Sequence, residues 1–120
     1  MDNLIRLKQQ NNILILDLIG DNIDTIEFDF TLRSIKRLKH FNNLYINIGN
    51  LSNINNEIIN KFLKMHAFLK NMQICFINVN AINNSILNLF GLDKFFQIYM
   101  NKQDAIEGKK PIVNRKFRIV

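Results

Sequence analysis

The chain of 120 residues has the size of one compact domain, and its 48% apolar and 22% charged residues exclude intrinsic disorder. No run reaches the roughly 18 consecutive apolar residues of a membrane-spanning helix, and MDNLIRLKQQ lacks the basic and apolar regions of a secretory signal, so a cytoplasmic protein is expected. The net charge of +6 is concentrated in residues 108–120, which carry Lys109, Lys110, Arg115, Lys116 and Arg118 and no acid; the preceding 107 residues carry 11 bases and 10 acids. A body so close to neutral makes nucleic-acid binding by the folded domain unlikely.

Two periodicities alternate along the chain. Residues 4–8 alternate weakly, QQNN at 9–12 has the composition of a turn, and ILILDLI at 13–19 is a near-continuous apolar strand, which predicts an N-terminal hairpin. Phe28, Leu32, Ile35 and Leu38 then recur at spacings of four and three, predicting a helix from about residue 28 to 40. A strand at 44–48 follows, then a helix whose apolar face holds Ile58, Ile59, Phe62, Met65 and Leu69, then an apolar strand at 74–79. Ile82, Ile86, Leu87 and Phe90 mark a third helix, with Gly91 placed to stop it in a left-handed conformation. A last strand at 95–100 and a short helix from Asn101 or Lys102 to Glu107 complete the order. Strands alternating with helices require right-handed crossovers, so the expected fold is α/β: a mixed, largely parallel sheet of about five strands with three to four helices. Residues 1–107 form the domain in this reading and 108–120 a basic tail.

Chemistry-bearing constellations are sparse. Cys75 is the only cysteine and lies inside QICFINV, so a buried free thiol is expected and an intramolecular disulfide is impossible. His40 and His66 are scattered, which leaves no metal-ligand cluster. The four glycines, Gly20, Gly49, Gly91 and Gly108, never cluster into a phosphate-binding loop, and no Ser or Cys pairs with His at a known spacing. Asp17 is the one carboxylate inside an apolar run, and an exposed strand position is expected for it. No enzyme and no cofactor are expected.

The stretch LYINIGNLSNINNEIINKF, residues 44–62, runs from a strand through a polar turn onto an amphipathic helix, and residues 89–96 read LFGLDKFF. Together these resemble the STAS domain family of anti-sigma factor antagonists. The resemblance implies helices layered on a mixed sheet and a switch loop in which a serine, often phosphorylated by a partner kinase, decides which protein is bound. Asn47 stands where the family's strand usually holds an Asp. Asn55, Asn56 and Glu57 fall on its Asp-Ser-Ser/Ala triplet, and Ile58 on its Gly. Residues 90–96 match its Gly-Leu-Asp-plus-apolar helix ending.

An amide at Asn56 cannot be phosphorylated, so the resemblance implies a docking face held in the unmodified form. The expected partner-binding loop comprises Ser52, Asn53, Asn55, Asn56, Glu57 and Lys61, with Ser52 as a substitute hydroxyl or a structural hydrogen-bonding residue. Asn55 is also a good helix N-cap and Glu57 suits the positive end of a helix dipole, so a capped loop without partner is an alternative. Twenty Asn and twenty Ile suggest an AT-rich genome, which weakens the meaning of any single Asn. The implied partner is a kinase-like anti-sigma factor. The alternatives are the ATPase of an ABC-type lipid transporter, and contact of the basic tail with nucleic acid or an anionic membrane surface.

Overall fold

Asn11 takes the left-handed conformation at φ 55 and turns the chain back after seven residues. In the computed structural model, which describes residues 3–111, β1 (Leu4–Gln10) therefore pairs antiparallel with β2 (Ile13–Gly20), Gln10 opposite Ile13 and Leu4 opposite Ile19. Thereafter strands and helices alternate: α1 (Thr25–Arg37), β3 (Asn43–Leu51), α2 (Asn56–Phe68), β4 (Gln73–Ile77), α3 (Ala81–Leu89), a 3-10 turn (Leu92–Lys94), β5 (Gln97–Ile98) and α4 (Lys102–Ile106). The five strands lie in chain order, and every pairing after the hairpin is parallel. This is the mixed, largely parallel sheet that the alternating periodicities predict.

Alternation within the strands assigns the two faces. Leu14, Leu16 and Leu18 of β2, Leu44, Ile46 and Ile48 of β3, and Ile74 and Phe76 of β4 point one way and bury the apolar sides of α1, α2 and α3. Phe76 lies at the middle of this layer, its ring 4.9 Å from both Phe62 and Phe96. The opposite face carries a smaller cluster, Ile15, Tyr45, Cys75, Ile77 and Tyr99, against which α4 lays Ala105.

Element ends depart from the sequence reading where side chains compete for backbone groups. α1 starts at Thr25, not 28, because the Asp24 carboxylate accepts the free N–H groups of Ile26 and Glu27, and it stops at Arg37, with Leu38 already off helical geometry. β4 ends at Ile77 because Asn78 turns to φ 59, its amide held by Asn47. Only Gln97 and Ile98 pair in β5, since Phe95 and Phe96 close the preceding turn onto Leu92. Gly91 is the left-handed stop after α3, at φ 77. Asp17 is the main reversal: it is buried, not exposed, and its carboxylate meets Lys8 Nζ at 2.9 Å.

Phe76→Ala is expected to cost about 3–5 kcal/mol, the range for a fully buried aromatic, as a drop in urea midpoint at unchanged slope. Burial pushes the Cys75 thiol up from 9.0 to about 11, so the native state keeps its proton while the unfolded chain loses it. This contribution is complete below pH 9.0 and is lost as pH rises toward about 11. Cys75→Val should make the fall of stability over that window shallower, and the native thiol should resist alkylating reagents at neutral pH until the chain unfolds.

Candidate functional site

Parallel pairing of β2 with β3 brings the carboxyl ends of the two strands side by side, and the chain leaves both at the same end of the sheet. The register shifts between Asp17 and Ile19, so that Gly20 meets Leu51. Ser52 then ties the two exits together: its N–H donates to the Gly20 carbonyl at 2.8 Å and its hydroxyl to the same oxygen at 3.1 Å. Gly20 has φ +116, a conformation that L side chains rarely adopt, and a Cβ there would run into Asn3.

Beyond Ser52 the loop carries exposed Asn53 and buried Ile54, and then α2 begins. Asn55 is the N-cap, its Oδ1 accepting the Ile58 N–H at 3.0 Å, as its residue type leads one to expect. Asn56 is the first helical residue and is exposed, with Glu57 exposed beside it in the first turn. Asn55, Asn56 and Glu57 line a shallow cavity of about 600 Å³ together with Asn3, Asp21 and Asn22 from the hairpin end. Ser52, Asn53 and half-buried Lys61 do not line it.

The cavity therefore differs from an uncharged docking face. Position 56 is neutral, but Asp21 and Glu57 set two carboxylates around the amides, and Asp21 arrives only because β2 and β3 end together. Asn3, Asp21 and Asn22 carry no recognisable motif. Their one signal in the sequence is the polar DN following the strand, which marks a turn and nothing more.

Asn47 links β2, β3 and the turn after β4. Its Nδ2 donates to Asp17 Oδ1 at 2.9 Å, while its Oδ1 accepts from the Gly49 N–H at 3.0 Å and from Asn78 Nδ2 at 2.9 Å. The amide donates to a carboxylate on one side and accepts two N–H groups on the other, whereas an ionised carboxylate at position 47 could accept but not donate to Asp17.

The remaining candidates lie elsewhere. Lys109 is held at the body: its N–H donates to the Asp104 carbonyl, its carbonyl accepts from Tyr99 Oη at 3.0 Å, and its ammonium pairs with Asp104 and Glu107 at 3.5 and 3.3 Å. A boundary at residue 107 would cut through these contacts. Lys110 is exposed, while Arg115, Lys116 and Arg118 lie outside the described residues. Half-buried His66 packs against Phe95 at 4.9 Å. Among the described residues, no three His, Cys, Asp or Glu side chains group as metal ligands, and no helix is long and apolar enough to cross a membrane.

No family model matches the sequence, and no curated protein does either. Solved structures do match the fold. An anti-sigma factor antagonist from Mycobacterium paratuberculosis superposes with a TM-score of 0.71 at 15% identity, over 89% of this chain and 93% of that one. A STAS domain protein from Planctomyces limnophilus gives 0.67 at 12% identity, over 87% and 96%. The Bacillus cell fate determinant SpoIIAA, in its phosphorylated form, gives 0.64 at 14% identity, over 88% and 98%. The chain has the STAS fold of these anti-sigma factor antagonist domains.

Asn47→Asp would set a second carboxylate within hydrogen-bond distance of Asp17 and remove its donor. A loss of about 1–3 kcal/mol in urea-unfolding free energy is expected at neutral pH.

Proposed function

We propose that this chain is a non-enzymatic protein–protein interaction module that acts as an anti-sigma factor antagonist, binding a kinase-like anti-sigma factor through the loop and first turns of α2. The observation that carries this reading is the exposed Asn55-Asn56-Glu57 triplet at the start of α2, on a fold whose solved examples include antagonists of this kind. Loops at the carboxyl ends of parallel strands are the usual binding positions of α/β sheets. Apolar anchors are at hand as well. Ile26 and Phe30, 80% and 62% exposed, stand one turn apart on α1, which starts three residues after Asn22 of the cavity.

In this reading the interface is constitutive. Phosphorylation adds about two negative charges at a helix N-terminus, and an amide at position 56 cannot receive them. Ser52 is a poor substitute, since its hydroxyl already donates to the Gly20 carbonyl and helps join two strand exits. Control would rest on synthesis or on competition between partners.

Asn56→Asp imitates part of the missing charge beside Asp21 and Glu57. Affinity capture from native lysate is expected to recover a kinase-like anti-sigma factor with the wild type, and at least about tenfold less with Asn56→Asp, a change of about 1.4 kcal/mol. Capture of that protein by both forms alike would remove this surface from the interface. Recovery of an ABC transporter ATPase in its place would favour the lipid-transport reading.

A further inference from the structure

The charged residues of α1 are sorted by end. Asp24 caps α1, Glu27 and Asp29 lie in its first half, and Glu57 lies in the first turn of α2, near the candidate site. Arg33, Lys36 and Arg37 follow on α1, and Lys39 just beyond it, without an acid between them; on α2, Lys61 and Lys64 lie along the middle, Lys64 pairing with Asp29 at 3.4 Å, and Lys70 follows the helix end. With 13 residues in α2, Phe68 lies roughly 20 Å from Asn56 at 1.5 Å rise per residue.

At that far end, the last turns of α1 and α2 and the segments leading into β3 and β4 enclose a groove of about 640 Å³. Its apolar wall includes Leu38, Phe41, Phe68 and Met72. Its charged groups are Lys36, Lys39 and Lys70, and no acidic residue lines it. Lys36 Nζ rests 4.3 Å over the Phe68 ring, and among the described residues none of the three ammonium groups pairs with a carboxylate.

Helix C-termini attract cations, so part of this charge answers the helix ends. Two such ends supply roughly −0.5 each, about −1 against three ammonium groups, and the groove stays positive. The carbonyls of Ile35, Leu38, Met65 and Leu69 are also already taken by the N–H groups of Leu38, Phe41, Leu69 and Met72. A volume in the ordinary range of binding sites, an apolar wall and uncompensated positive charge together select an occupant that is apolar and acidic at once. The apolar groups are recessed between helix ends, which suits a side chain reaching in and does not suit insertion into a lipid layer. A nucleic-acid backbone would meet the lysines but leave the wall unfilled.

We propose that the groove between the C-terminal ends of α1 and α2 is a second docking site, which takes an acidic amphipathic segment of a partner protein. It lies at the opposite end of α2 from the candidate switch loop, so the two sites can be occupied together. The chain then acts as an adaptor with two separate handles.

The test uses the full chain and two labelled peptides with the same leucine spacing, one with glutamate and one with lysine at the polar positions. Anisotropy titration at low salt should show the glutamate peptide binding at least about tenfold more tightly, and the preference should shrink at high salt. Amide shift changes should centre on residues 36–42 and 67–72. Lys36→Glu, Lys39→Glu and Lys70→Glu combined should reverse the preference, with folding checked by circular dichroism. Should that variant not fold, the comparison on the wild type and on Lys39→Glu alone decides. Asn56→Asp should leave peptide binding unchanged, which separates this site from the one at the switch loop. Equal binding of both peptides, shift changes centred elsewhere, uptake of laurate without either peptide, or self-association through this end would each overturn the proposal.

Discussion

The parallel pairing of β2 with β3 is the constraint on which the other features rest. It stacks Leu14, Leu16 and Leu18 beside Leu44, Ile46 and Ile48, making one apolar face broad enough to seat three helices. The same pairing aligns the carboxyl ends of the two strands, so the segments entering α1 and α2 emerge side by side. Ser52, with two hydrogen bonds onto the Gly20 carbonyl, holds that junction closed. A shallow cavity lined from both strand exits is the direct consequence.

On the other face, a polar group occupies the middle of the sheet. The Asp17 carboxylate is buried, yet it receives Lys8 and the Asn47 amide, and Asn47 in turn accepts from Gly49 and Asn78. Burying a charge is costly unless it is paired and hydrogen-bonded, and here both conditions are met. The arrangement joins β1, β2, β3 and the turn after β4, close to where the segments entering α1 and α2 begin. The asparagine at position 47 is thus matched by its surroundings, which weighs against codon usage as its sole explanation.

The helical layer adds an electrostatic polarity to this scaffold. On α1, acidic side chains gather toward the N-terminal end and basic ones toward the C-terminal end, as helix dipoles favour, while on α2 Glu57 opens the helix and Lys61 and Lys64 follow along its middle. The near-neutral total of residues 1–107 conceals this separation, since 11 bases and 10 acids cancel in a sum but not in space. The shallow cavity at the amide-rich loop is therefore lined by acids and the groove at the other end of α1 and α2 by bases.

Much of the fold was legible from local pattern alone. Apolar periods of two and of three to four located the five strands and the first three helices, Gly91 marked a left-handed stop, and Asn55 marked a helix cap; each depends on neighbours a few residues away. Boundaries were less legible, because Asp24 capping α1 and Asn78 ending β4 are settled by hydrogen bonds that periodicity does not register. What only the tertiary structure decided are the meetings between distant residues: Asp17 with Asn47, Asp21 with Asn56's cavity, Lys36 with Phe68. Sequence spacing specifies the face on which a side chain lies. Strand register and helix packing specify what it faces, and those follow from the burial of the whole apolar layer at once.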